Sequence, residues 1–138
     1  MAVKQLSVFL GNTAGRLCDV ARTLGENNIN IRGFSVADTS DFGVLRLLVN
    51  DPDRACAVLR DARFTVYVGP VILARVYDRP GGFAAALEGF ARKGINVDYS
   101  YGAICSIIVF GVEQIEEGEA ILREQGIALV SEEELAKI

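Results

Sequence analysis

Apolar and polar positions alternate from Lys4 to Leu10, with Leu6, Val8 and Leu10 on one face, the period-two pattern of a half-buried strand. Asn12-Thr13-Ala14-Gly15 interrupts it as a turn. Leu17, Val20, Ala21 and Leu24 then recur at helical spacing and give one apolar face. The helix stops near Glu26-Asn27-Asn28. A strand is predicted over Asn30–Ala37, a turn over Asp38–Gly43 and a strand over Val44–Val49. Asp51-Pro52-Asp53 starts a second helix: Asp51 can cap it, Pro52 suits its first position and Asp53 favours the positive end of the dipole. Ala55, Val58 and Leu59 line its inner face, and Phe64–Val68 is a final short strand.

The same order then recurs. Shifted by 66 positions, the chain overlays itself without gaps from about residue 8 to 37 against 74 to 103. Gly15 falls on Gly81, Leu17 on Phe83, Leu24 on Phe90, and Asn28-Ile29-Asn30-Ile31 on Gly94-Ile95-Asn96-Val97. The second copy predicts a strand at Val71–Tyr77, a helix at Pro80–Lys93, strands at Asn96–Ala103 and Ile104–Val112, a helix at Ile115–Gln125 and a closing strand at Ile127–Val130. Ser131 to Glu134 has capping-box spacing, so Glu132–Lys137 reads as a short terminal helix. Gly25 and Gly94 read as helix-end residues.

An order of βαββαβ with right-handed crossovers gives a four-stranded antiparallel sheet with both helices on one face. The fold class is therefore α+β, two ferredoxin-like units in tandem, over residues 1–68 and 69–138 with Gly69-Pro70 as the linker. A single unit of this size buries only roughly 60% of its unfolded surface and is marginal alone. Limited proteolysis is thus expected not to separate two stable halves.

Composition narrows the chemistry. The 138 residues include no His, so a Ser-His or Cys-His nucleophile pair, a His base and a His metal site are excluded. No cofactor or metal is expected, and no catalytic residue is named. Residues 1–69 carry a formal charge of +1 and residues 70–138 one of −5, without the basic stripe that a phosphate backbone or an anionic membrane requires. Nucleic acid and membrane are rejected as partners. The longest uncharged stretch, Tyr99–Val112, is too short to span a bilayer. Cys18, Cys56 and Cys105 are an odd, widely spaced set and read as small buried hydrophobes of a reducing cytoplasm. Glu113–Glu119 and Glu132–Glu134 read as solvated helix faces. Tyr99 and Tyr101 fall on one sheet face, where packing is the preferred role.

The sharpest local signal is Tyr77-Asp78-Arg79-Pro80-Gly81-Gly82-Phe83, between the first strand and first helix of the second copy. Asp78 can accept backbone N–H groups at the helix start. Pro80 presets the backbone, and Gly81 and Gly82 let a ligand approach it closely. Amides at a helix N-terminus suit a carboxylate. Phe83 begins the buried face.

Here the sequence resembles the ACT domain family, whose pattern is a strand, Asp-Arg-Pro-Gly, an apolar helix and Gly-Ile-Asn-Ile on the second strand. The second copy shows Asp78-Arg79-Pro80-Gly81 and Gly94-Ile95-Asn96-Val97; the first is looser, with Asn12-Thr13-Ala14-Gly15 and Asn28-Ile29-Asn30-Ile31. The resemblance covers nearly the whole chain and implies a small-molecule sensor, most often for an amino acid, acting without catalysis. It also implies a ligand between side-by-side units, touching the strand–helix loop of one and the second strand of the other. Carried over, the binding residues are Asn12, Gly15, Arg16, Leu17, Asn30 and Ile31 in the first copy. In the second they are Asp78, Pro80, Gly81, Gly82, Phe83, Asn96 and Val97. Amides near Gly15 or Gly81 would hold a carboxylate. Asn12, Asn30, Asp78 and Asn96 would accept from an ammonium, and Leu17 and Phe83 would border the ligand side chain. Asn12 with Arg16 makes the first loop the favoured carboxylate end. A homodimer is expected. The alternative is a regulatory subunit of a separate amino-acid biosynthetic enzyme, such as one of acetolactate synthase type.

Overall fold

The computed structural model describes residues 2–11, 13–38 and 42–138. Asn12 and the centre of the predicted 38–43 turn lie outside these. The chain forms two compact units. One comprises Lys4–Gly69 and Leu135–Ile138, the other Met1–Val3 and Pro70–Glu134.

In the first unit the elements are β1 (Val3–Gly11), α1 (Arg16–Glu26), β2 (Ile31–Asp38), β3 (Phe42–Val49) and α2 (Pro52–Asp61), followed by β4 (Thr65–Arg75). The sheet is antiparallel, with Leu6 opposite Leu47 and Val8 opposite Leu45 between β1 and β3, and Phe34 opposite Leu47 between β2 and β3. β3 lies between β2 and β1, and β1 lies between β3 and β4. The alternation of β1 is realised: Leu6, Val8 and Leu10 join Val20 and Leu24 of α1 and Leu59 of α2 in one core. Asp51 caps α2, accepting a hydrogen bond from the Arg54 amide at 3.2 Å, and Pro52 occupies the first turn.

The second unit contains the Pro70–Arg75 part of β4, α3 (Gly82–Arg92), β5 (Tyr99–Gly102), β6 (Ile107–Gly111), α4 (Ile115–Glu124) and β7 (Ala128–Leu129). β4 pairs antiparallel with β6 on one side and β7 on the other, and β6 pairs with β5. Its core gathers Ile72, Ala74, Ala86, Phe90, Phe110 and Leu122, with the Phe90 and Phe110 rings 5.3 Å apart. Helix α5 (Glu132–Lys137) follows, its Glu134 amide donating to Ser131 Oγ at 3.1 Å. The α+β class, the βαββαβ order, the antiparallel sheets and the helices all stand as the sequence predicts.

All four long helices end in the same closure. After α1 the amides of Asn28 and Ile29 reach back to the Gly25 and Leu24 carbonyls; after α2, Arg63 and Phe64 reach Arg60 and Leu59. After α3, Gly94 and Ile95 reach Ala91 and Phe90; after α4, Gly126 and Ile127 reach Arg123 and Leu122. In each the turning residue is left-handed: Asn28 at φ 59°, Arg63 at 71°, Gly94 at 69° and Gly126 at 74°. This is a Schellman motif, with an apolar residue next in the chain.

Several sequence expectations shift. Gly25 lies inside α1, and the left-handed exit is Asn28. The strands predicted on either side of Gly69-Pro70 are one continuous strand, so those residues are strand rather than linker. β5 starts at Tyr99 rather than Asn96, because Ile95–Asp98 only leads in to the ladder. Leu17 and Ala21 are exposed, so the buried stripe of α1 narrows to Val20 and Leu24. Cys18 and Cys105 are exposed and only Cys56 is buried; Cys18 lies in the first turn of α1, off the buried stripe, and Cys105 in the turn after β5. Glu119 is buried rather than solvated. Tyr99 and Tyr101 do share a face, stacked with centroids 6.5 Å apart.

Candidate functional site

The loop before the first helix of each unit ends in a left-handed glycine. Gly15 has φ 88° and ψ −10°, Gly81 φ 85° and ψ −8°, and no side chain caps the helix at either. A Cβ at Gly15 or Gly81 would meet nothing within 4 Å, so both face open space. The Gly82 amide donates to the Arg79 carbonyl at 3.0 Å and the Ala85 amide to Gly81 at 3.0 Å. Between them the Phe83 and Ala84 amides have no preceding turn to accept them. The Asp19 amide closes onto Gly15 at 2.9 Å in the same way, leaving those of Leu17 and Cys18. The open amide donors therefore sit two and three residues beyond Gly81, in the first turn of α3. Gly82 has a different role: it is buried, and a Cβ there would overlap the Tyr77 carbonyl oxygen.

Asp78 is exposed and does not cap α3, contrary to its expected bonding to the helix start. It lines two hollows instead. One, of about 340 Å³, lies between Tyr77–Arg79, Phe83 and the β5–β6 turn. The other, of about 410 Å³, lies between Arg75, Asp78, the Cys105-Ser106 turn and Gly126. A third, of about 420 Å³, opens on the other flank against Pro80, Gly81, Gly82, Ala85 and Gln125. All three share Val76 and Tyr77, so the loop of the second copy stands among three hollows of a size that takes a small ligand. A further hollow of about 400 Å³ between the end of α3 and α4 contains none of the expected residues.

Phe83, expected at the start of the buried face, is 44% exposed, as is its counterpart Leu17 at 46%. Both border their loops with apolar surface. Arg16 is engaged within its own unit: its guanidinium lies 4.5 Å from the Phe64 ring centroid and 3.6 Å from Asp19. Its position corresponds to Gly82 in the second copy. That copy brings its cation from Arg79 instead, 4.7 Å over the exposed Tyr77 ring. Arg79 stands inside the Asp78–Gly81 motif, yet the sequence reading gave it no role. The Cys105-Ser106 turn was also missed. Both residues are left-handed, at φ 56° and 60°, and no glycine or asparagine marks them.

The remaining candidates lie elsewhere in each unit. The Asn30 amide donates to Asn50 Oδ1 at 2.9 Å, and Asn96 Nδ2 donates to Asp98 Oδ1 at 2.8 Å. In the second unit the Val76 amide bonds to Ser106, while the Asp98 amide bonds to Gly111. Those acceptors flank opposite ends of β6, and the four steps from Ile107 to Gly111 alone span about 13 Å. In the first unit Leu10 is opposite Gly43 and Ile31 opposite Val49, about 20 Å apart along β3. Each unit therefore keeps its loop residues and its Asn30-Ile31 or Asn96-Val97 pair at opposite ends of the sheet. Among the described residues no group of three metal-binding side chains gathers, and no helix is long and apolar enough to cross a membrane.

Two βαββαβ units in tandem, each with an uncapped glycine turn before its first helix, define a tandem pair of ferredoxin-like domains. Residues 1–138 match the ACT domain pair family, and the chain belongs to it. It is similar to protein BT0572 from Bacteroides thetaiotaomicron, at 32% identity over 100% of this chain and 98% of that one, with a TM-score of 0.93. The regulatory subunit of aspartate kinase from Thermus thermophilus shares the fold at 15% identity and a TM-score of 0.66, over 89% of this chain and 90% of that one. That from Thermus flavus does so at 17% and 0.65, over 87% and 88%. No curated protein sequence matches the chain.

Proposed function

We propose that this protein is a cytoplasmic sensor that binds an amino acid or similar small ligand and performs no catalysis. The observation that carries the reading is the second-copy loop, where Arg79 borders a hollow on each flank, with the exposed Asp78 and Phe83 on one and the left-handed Gly81 on the other, beside the open Phe83 and Ala84 amides. The Phe83 and Ala84 amides with Arg79 receive the ligand carboxylate. Asp78 accepts from its ammonium, and Phe83 borders its side chain. This moves the carboxylate end from the first copy to the second, because Arg16 is already packed on Phe64. In the first copy Gly15 and Leu17 form the weaker counterpart, with Asn12 beside them in sequence. Contacts from Asn30, Ile31, Asn96 or Val97 must come from a different ACT unit than the loop they complete, and a homodimer supplies such units alongside the tandem one. Three free thiols suit a reducing compartment.

The test is calorimetry and thermal shift against single L-amino acids. One or more should bind and raise the melting temperature; silence from all of them with folded protein overturns the reading. The second reading is a regulatory subunit of a separate amino-acid biosynthetic enzyme. The two Thermus relatives, regulatory subunits of aspartate kinase, favour it. It requires a protein partner, and recovery of the homodimer alone from cell extract counts against it.

A further inference from the structure

We propose that Leu135–Ile138 form a strap that opens independently of the sheet beneath it, latched by Arg32. Arg32 is the extra residue of a bulge in β2, where Ile31 pairs with Val49 and Gly33 with Leu48. A bulge re-aims a side chain that regular pairing would fix. Here the Arg32 Nη2 donates to the Ala136 carbonyl at 3.3 Å, near the end of α5. Leu135 beside it is only 1% exposed, so an apolar anchor and a polar latch hold the strap together.

The latch is incompletely satisfied. Arg32 Nε is buried and has no hydrogen-bond partner. A buried donor without an acceptor penalises the closed arrangement, and opening returns it to water. The helix is also too short to hold itself: α5 has six residues, far below the length at which an isolated helix persists. Closed and open forms are therefore near in free energy, the condition for a switch. The second copy lacks the device. Its residue at the Arg32 position is Asp98, which accepts from Asn96 within the same turn. Arg32 directly follows Asn30 and Ile31, so a ligand held there acts on the latch; that last step rests on the proposed ligand site, whereas the strap itself does not.

Hydrogen–deuterium exchange on the full chain without ligand tests the strap. Amides of 135–138 should exchange at least about tenfold faster than those of β1 and β3. Arg32→Ala should speed them at least about fivefold further and leave β1 and β3 unchanged. Should Arg32→Ala not fold, Arg32→Met keeps the apolar stem and removes every donor, with the same result expected. Exchange of 135–138 at the rate of the sheet, or no response to loss of the guanidinium, overturns the proposal. Failure to find an amino acid by thermal shift leaves this result standing, so the two readings fail separately.

Discussion

Gly15 and Gly81, 66 positions apart, have the same left-handed backbone to within a few degrees and both face open space. A Cβ there clashes with nothing and strains only its own backbone. Gly81→Leu should therefore cost about 1–2 kcal/mol by urea denaturation while its side chain fills the place meant for a ligand. The double variant with Gly15→Leu should remain folded and lose all response to amino acids.

Gly82→Ala should behave oppositely, although it adds far less bulk. Its Cβ meets the Tyr77 carbonyl, which is backbone and cannot rotate away. The loop must move, at a cost of about 1–3 kcal/mol. Chemical denaturation of the two glycine variants side by side checks the order.

Two of the four helix exits hold residues that strain in the left-handed region. Arg63→Gly should stabilise the protein by about 1 kcal/mol, and Asn28→Gly by less, because asparagine tolerates that conformation. Thermal melts read both. A fall in melting temperature for Arg63→Gly would show that the arginine side chain contributes more than its backbone strain costs.

The two loop arginines should separate cleanly. Arg16→Ala removes a guanidinium packed on the buried Phe64 and should cost about 0.5–1 kcal/mol of stability. Arg79→Ala loses only an exposed stacking contact with Tyr77 and should leave stability nearly unchanged. Its effect should instead be on ligand affinity, about tenfold weaker by calorimetry.

Native proteolysis with thermolysin should spare residues 65–75, since β4 runs through Gly69-Pro70 without a break. Recovery of a folded, monomeric 1–68 fragment would contradict this.

The repeat, the element order and both cores were legible because they rest on periodicity and on an ungapped match between copies. Gly69-Pro70 misled, since a strand accepts that pair when local pairing outweighs propensity. Gly25 misled in the same way: the true exit is set by where Leu24 and Ile29 must bury, which puts Asn28 at the turn. Asp78 read as a cap because its spacing permits one, yet Gly81 in the left-handed conformation takes the cap position itself. Arg79 was hidden by familiarity, as a letter of a motif rather than a charge. The Cys105-Ser106 turn carries no residue that favours positive φ, so no signal could have found it.

The shared helix closure has a consequence for how the copies diverge. Because each of the four long helices is stopped by the same backbone bonds, the loop ahead of it does not have to set where the helix ends. Residues 78–81 and 12–15 are equal in length and lead to the same glycine geometry, whereas the next residue, Gly82 or Arg16, is fixed by its own unit. Exchange of those four residues between the copies would rewrite recognition at one end of the scaffold while each first helix keeps its own opening residue.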